Sequence, residues 1–382
     1  MSEWVSKKIG DIANLYQGLA INAKTKHLLV TESSLPLLRI KDLLEGTKEQ
    51  FVDPKLAPLQ CVVEPNELVM TRTGQVGYVF MGKSGVLHNN CFKITVTDPE
   101  VDTRFLYWHF NSNAQRDYLT TIAAGSVQPD LNHKVFKDYD VLLPPLTEQK
   151  AIASVLSSLD DKIDLLHRQN KTLEAMAETL FRQWFIEDTA GKTELITLGE
   201  MIEIHDSKRI PLSKLERDKK KNGSIMYPYY GAAKIMDYVD DYIFDGDYLL
   251  LGEDGTVQDE NGYPILQRAN GKFWVNNHAH VLSAKAPYNN FFLWCLLSKT
   301  NIEKAVTGAV QPKINQENLR KLDFVKFDES KVLDFNDITS SMLNKLNTNN
   351  LQIQTLENLR DTLLPKLMSG EVRVQYQTEE VA

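Results

Sequence analysis

Several strings in this 382-residue chain carry the residue types of catalysis or cofactor binding. Gly77-Tyr78-Val79-Phe80-Met81-Gly82-Lys83-Ser84 fits the phosphate-loop pattern letter for letter. A phosphate loop leaves a strand and opens a helix, so that backbone amides face the phosphates. Here the four interior residues are a bulky, β-prone run, and Gly85 leads into another strand-like segment. Nucleotide binding is therefore set aside. Pro129-Asp130 with Glu148-Gln149-Lys150 imitates a nuclease carboxylate set, but Glu148 and Lys150 open a helix, where a metal cage would want them on a strand. Neither Asp98-Pro99-Glu100 nor Pro144-Pro145-Leu146 makes the Asp/Asn-Pro-Pro-aromatic string of a purine methyltransferase, and no glycine-rich cofactor turn follows a first strand. His278-Ala279-His280 offers two ligands with no third nearby and reads as strand and loop histidines. No catalytic residue and no metal ligand is assigned.

What remains is polar, turn-rich and present twice. Thr71-Arg72-Thr73-Gly74-Gln75 follows a strand in the first half, and Gly252-Glu253-Asp254-Gly255 follows one in the second. His88-Asn89-Asn90 is matched by Asn276-Asn277-His278, and Gln128 by Gln311. Arginine on guanine, asparagine or glutamine on adenine and acids on cytosine are the pairings that read base edges. Taken singly these are ordinary turn residues; their recurrence in two copies gives them weight. One stretch is strongly basic: Lys208, Arg209, Lys214, Arg217, Lys219, Lys220 and Lys221 stand against only Glu216 and Asp218. It reads as a solvated loop or as the local electrostatic footprint of a polyanion. The candidate DNA contacts are thus Thr71, Arg72, Thr73, Gln75, Asn89, Asn90 and Gln128 in the first half. In the second they are Lys208, Arg209, Lys219, Lys220, Asn276, Asn277, Gln311 and Lys313.

The net charge of −8 argues at first against nucleic acid. Residues 146–188 hold five basic against eight acidic side chains and residues 331–382 five against seven, so most of the excess acid lies away from the candidate contacts.

These contacts need a frame. Over residues 147–184 apolar side chains recur at alternating steps of four and three: Ile152, Leu156, Leu159, Ile163, Leu166, Asn170, Leu173, Ala177, Leu180 and Trp184. That is a heptad seam with one polar member, a way to fix coiled-coil register. Pro144 and Pro145 precede it, Thr147 can cap it, and Glu148 suits its first turn. At about 1.5 Å per residue the rod is roughly 60 Å long. Shifted by 183 residues, the seam lands on Phe335, Thr339, Met342, Leu346, Asn349, Ile353, Leu356, Arg360, Leu363 and Leu367. The same shift places Gly125-Ser126-Val127-Gln128-Pro129-Asp130-Leu131-Asn132 on Gly308-Ala309-Val310-Gln311-Pro312-Lys313-Ile314-Asn315. Ile9-Gly10-Asp11-Ile12 likewise resembles Leu198-Gly199-Glu200-Met201. The chain is a tandem repeat of block and helix. Its divisions are 1–145, first block; 146–188, central spacer helix; 189–330, second block; 331–370, C-terminal spacer helix; and 371–382, tail. The fold class is α+β: two α/β blocks separated by two long helices that form an antiparallel coiled coil. Within the blocks, 76–81 is expected as a strand and 302–307 as helix. Cys61, Cys91 and Cys295 form no closely spaced pair, no signal-length apolar run opens the chain, and 291–297 is too short to span a bilayer. A reducing, cytoplasmic setting is expected, with no membrane.

The whole layout resembles the DNA specificity subunits of type I restriction-modification systems. The strings that carry the resemblance are Leu143-Pro144-Pro145-Leu146-Thr147-Glu148-Gln149, Glu67-Leu68-Val69-Met70-Thr71-Arg72 with Gly74 and Gly77, and the paired Gly-x-Val-Gln-Pro-x-x-Asn. Pro228-Tyr229-Tyr230-Gly231-Ala232, Phe244-Asp245-Gly246-Asp247-Tyr248 and Leu364-Pro365-Lys366-Leu367-Met368-Ser369-Gly370 complete it, while 327–337 lacks the Pro-Pro-Leu string. The resemblance implies that each block is a target recognition domain reading one half of a bipartite site in double-stranded DNA. It implies that the helices space the domains and bind two modification subunits. Those subunits would carry S-adenosylmethionine and the catalysis, and restriction subunits, using ATP and Mg, would join them. This chain itself would hold no cofactor and be non-catalytic. The rival reading is a protein-binding scaffold that oligomerises through its coil; a free-standing methyltransferase is third.

Overall fold

The computed structural model describes residues 4–123, 125, 129–187, 193–223, 225–308 and 311–374. The chain divides into two compact units, Met1–Leu165 with Gln352–Ala382, and Leu166–Leu351. The division falls inside both long helices, so each unit holds one block and a length of each helix.

In the first unit an antiparallel sheet runs in the order Ala13–Gln17, Cys91–Val96, Leu68–Thr71, Val79–Phe80. Its centre is the strand that begins Cys91-Phe92-Lys93-Ile94, buried at all four positions, and its core gathers Phe92, Ile94, Met70, Phe105, Trp108 and Phe136. Lys93 is tolerated there because its ammonium meets Glu67 and the Val62 carbonyl. Small strands at Leu37–Leu38, Gly85–Leu87 and Val62–Val63 form a side lobe. Of the expected strand 76–81 only Val79–Phe80 pairs, since Gly77 turns the chain at φ +82.

The second unit carries a six-stranded sheet in the order Ile202–Ile204, Ala279–Ala284, Phe244–Gly252, Leu266–Val275, Tyr227–Tyr230, Ile235–Val239. The expected helix at 302–307 is a single turn, Glu303–Ala305, followed by the strand Val306–Thr307, which pairs with Lys313–Ile314.

Both units close alike. Val5–Lys8 pairs with Asp140–Leu143, and Leu195–Thr197 pairs with Asp323–Val325. The short helices His133–Lys137 and Gln316–Arg320 are capped by Asn132 and Asn315, whose carboxamide oxygens accept Val135 N–H and Asn318 N–H. Gly10 and Gly199 let these helices approach: an added Cβ would sit 3.2 Å from Lys137 Cβ and 3.0 Å from Arg320 Cβ. The repeated strings noticed in the sequence are therefore caps and contact points of one frame.

The first long helix spans Leu146–Phe181 and continues through a π-helical turn, Arg182–Glu187; the second spans Glu329–Ser369. The second starts without prolines because Asp328 accepts Ser330 N–H and Lys331 N–H. Within each unit the helices run antiparallel. In the first unit Asp160 meets Arg360 at 2.7 Å, Glu148 meets Arg373, and Ile152 and Leu156 share a core with Leu364 and Leu367. In the second, Phe181 and Phe185 pack against Phe335, and the two seam asparagines find each other: Asn349 donates to Asn170 at 2.8 Å, and Asn170 donates to Asn350. No helix among the described residues is long and apolar enough to cross a membrane.

Candidate nucleic-acid interface

In the first block, the loop after strand Leu68–Thr71 lies against residues 129–131. Arg72 N–H donates to the Asn90 carbonyl (2.8 Å), Leu131 N–H to the Arg72 carbonyl (3.0 Å) and Gly74 N–H to the Pro129 carbonyl (2.9 Å). Thr73 and Asp130 form an antiparallel bridge. The second block repeats these three bonds and the bridge. Glu253 N–H donates to His278, Ile314 N–H to Glu253 and Gly255 N–H to Pro312 (2.8, 2.8 and 3.1 Å), and Asp254 bridges Lys313. Gly308 turns this loop at φ +87, where a Cβ would fall 2.3 Å from the Gln311 carbonyl oxygen.

The side chains on this common backbone differ. Arg72 forks between Asp130 Oδ2 (2.8 Å) and Gln17 Oε1 (2.7 Å), and Thr73 Oγ1 donates to Asp130 Oδ1. The Arg72 hydrogen bond holds the Asp130 carboxyl below its usual range, against the opposing effect of burial. In the second block the acid occupies Glu253 and the cation Lys313, 3.3 Å apart. Behind them Arg209 bonds Glu253 at 2.6 Å, and His280 places Nδ1 on Asp206 and Nε2 on the Ile314 carbonyl. Burial pushes the Asp206 carboxyl up, but His280, the Val281 N–H and the Arg209 charge together outweigh it and the pKa is lowered. Asp206, Glu253 and His280 bring donor atoms within 4.8 Å of one another, so His280 does have acidic neighbours that the sequence did not reveal. Arg209 bonds both carboxylates, Lys313 reaches Glu253 and Gln316 reaches Asp206; the cluster is neutralised from within.

The candidate contacts fall into three groups. Gln75, Lys208, Lys219, Asn277, Gln311 and Lys313 are exposed, and Arg72, Thr73, Asn89, Asn90 and Lys220 are half-buried. Thr71, Arg209 and Asn276 are turned inward, with their polar groups engaged inside the fold. The Thr71 hydroxyl accepts Tyr78 N–H, the Arg209 guanidinium is used up on Glu253, Asp206 and the Ala279 carbonyl, and Asn276 accepts His278 N–H. Gln128 lies outside the described residues. The basic run is also partly neutralised: Arg217 pairs with Asp237, Lys220 with Asp241 and Lys221 with Asp218 and Asp237. Lys220 also lies over the Trp274 ring, 5.1 Å from its centroid.

Sequence reasoning missed five positions. Gln17 and Asp130 complete the Arg72 fork; Asp130 lay inside the paired motif, and only its match to Lys313 signalled it. Exposed Lys24 and His27, with Lys26, follow strand Ala13–Gln17 as the basic run follows Ile202–Ile204, and no acid occurs over 13–31.

Two like blocks, each presenting polar loops on a fixed backbone, with lengths of an antiparallel helix pair built into both units, define a two-module α+β recognition protein. The family model described as type I restriction modification DNA specificity domain matches residues 1–175 and 191–325, and the chain belongs to that family. It is 26% identical to the MjaIX specificity subunit of Methanocaldococcus jannaschii, over 98% of this chain and 94% of that one. It is 36% identical to the putative specificity subunit S.HindORF215P of Haemophilus influenzae, over 35% of this chain and 32% of that one. The crystal structure of the type I restriction-modification S subunit from M. genitalium shares the fold, with a TM-score of 0.63 at 19% identity, covering 98% of this chain and 97% of that one.

Proposed function

We propose that the chain is the DNA specificity subunit of a type I restriction-modification complex and that each block reads one half of a bipartite site in double-stranded DNA. The observation that carries this is the duplicated loop bridge. The same backbone holds base-reading side-chain types twice, next to exposed Gln75 and Gln311. The chain is non-catalytic. Two modification subunits dock on the helices and bring S-adenosylmethionine; restriction subunits bring ATP and Mg; the complex works in the cytoplasm. The helix pair sets the spacing of the half-sites, its register fixed by Asn170 and Asn349.

Affinity for a duplex should fall steeply as salt rises, because phosphate contacts release counterions. Methyl transfer should be absent from the pure chain and appear when modification subunits are added. Transfer by the chain alone, or binding indifferent to salt, would overturn the proposal. Seven-residue insertions after Asn170 and before Asn349 preserve the heptad and add about 10 Å. They should widen the gap between half-sites by about three base pairs; an unchanged gap would move the spacing role to the partner subunits.

A further inference from the structure

The loop bridge carries opposite charges in the two blocks. In the first, the cation Arg72 stands on the strand-end loop and the carboxylate of Asp130 on the Pro129 loop. In the second, the carboxylate of Glu253 stands on the strand-end loop and the cation Lys313 on the Pro312 loop. Three backbone hydrogen bonds and one bridge recur around the two pairs. The frame therefore does not depend on which side is positive, and the side chains are free to serve recognition.

The first pair reaches solvent with both members, Arg72 and Asp130 being 27% and 35% exposed; the second does so mainly through Lys313, 51% exposed, while Glu253 is 13% exposed. Neither pair is exhausted by its internal contact. A guanidinium has five N–H donors and a carboxylate about four lone-pair sites, so each group keeps capacity after binding the other. Gln17 and Thr73 hold the Arg72–Asp130 pair in place, which lowers the ordering cost of using it.

A cation beside a carboxylate is complementary to one base pair in particular. In the major groove guanine presents two acceptors, N7 and O6, and its cytosine presents an amino donor. Arginine or lysine meets the guanine and the acid meets the cytosine. Exchanging the two charges turns the preferred pair end for end, from G·C to C·G. We propose that residues 72 and 130 in the first block, and 253 and 313 in the second, form a specificity-determining pair that reads one G·C base pair in each half-site, in opposite orientation relative to the two loops. This rests on the DNA-reading function proposed above.

The first block is the place to test it, because Glu253 also holds Arg209, and reversal there would set a second cation against a largely covered guanidinium. The full chain, with its modification subunits, selects duplexes from a random pool. The wild type should select two fixed half-sites; a wild type that selects no split motif defeats the DNA-reading function itself. R72E and D130K singly should each lose the preference at one position by about 10- to 100-fold. The double variant R72E/D130K should regain a preference there, now for C·G, with the other half-site unchanged. A folded double variant that keeps the original G·C pair, or that has no preference at that position, overturns the inference alone. If the double variant does not fold, R72Q/D130N keeps an uncharged amide pair and should lose the G·C preference at that position only; its retention overturns the inference equally.

Discussion

The two units share a frame and fasten their helices differently. In the first, the helix start is tied by polar groups. Gln149, 1% exposed, donates to the carbonyls of Glu100 and Pro144 and accepts Asp102 N–H. Glu148 accepts the guanidinium of Arg373, which lies over the Trp4 ring. In the second, apolar Val332 occupies the position 183 residues on, and the junction is aromatic. Phe335 is fully buried, with the rings of Phe181, Phe185 and Phe292 at centroid distances of 5.7, 5.6 and 5.9 Å. The difference teaches that the Pro-Pro-Leu-Thr-Glu-Gln string is a fastening, one of at least two that serve. Its residues are conspicuous in the sequence because buried polar groups must be matched one by one, whereas an aromatic junction leaves only scattered phenylalanines.

Removing the aromatic fastening should have the largest effect. Phe335→Ala opens a cavity among the three rings of Phe181, Phe185 and Phe292 and should cost about 3–5 kcal/mol. Hydrogen exchange should show the loss in Leu166–Leu351 and leave the backbone amides of the first sheet protected. Equal loss in both sheets would erase the distinction between the fastenings.

Gln149→Leu keeps the volume and strands one N–H and two carbonyls, so the first unit should lose about 2–4 kcal/mol. Chemical denaturation followed by exchange at peptides covering 98–105 measures it. The matched change in the second unit, Val332→Leu, tests overpacking alone and should cost about 1–3 kcal/mol.

Acid should sharpen the comparison. Burial holds His109 down at about 4, against 6.5 for a free imidazole, with its Nε2 on the Tyr139 hydroxyl. The unfolded chain therefore takes up a proton first. The first unit loses stability as pH falls from 6.5 toward 4, at up to about 1.4 kcal/mol per pH unit and about 3 kcal/mol in all. His109→Gln should remove that part of the slope; a slope unchanged in the variant would assign it to carboxylates.

The smallest effect is expected from thiol reagents. Cys61, Cys91 and Cys295 are all buried; burial pushes Cys91 up to about 12 and raises the other two. The native protein should leave all three unmodified by a disulfide reagent at pH 8, and rapid labelling of one would mark a locally open strand or helix.

Much of the frame was legible because repetition and heptad spacing are one-dimensional signals. The seam, the offset of 183, and the capping asparagines at 132 and 315 all recur at fixed intervals. The site was legible only in part. Arg72 and Lys313 stood out by charge, but their partners Asp130 and Glu253 lie 58 and 60 positions away, and no local pattern announces such a pairing. The setting of Arg209 was hidden for the same reason: a cation in a basic run looks solvated until Glu253 is brought against it from a distant strand end, beside the local carboxylate of Asp206. The inward bonds of Thr71 and Asn276 were equally hidden, because polar residues at strand ends serve the turn's own backbone as readily as a ligand.

The central claim is that two blocks read two separate stretches of bases. Selection of duplexes by the full chain with its modification subunits, run in parallel for the wild type, Arg72→Ala and Lys313→Ala, tests it most directly. The wild type should yield two short fixed motifs at a constant gap. Arg72→Ala should relax one motif and Lys313→Ala the other, each costing about 1–3 kcal/mol at a single position. One continuous motif, or two variants that relax the same bases, would contradict the account.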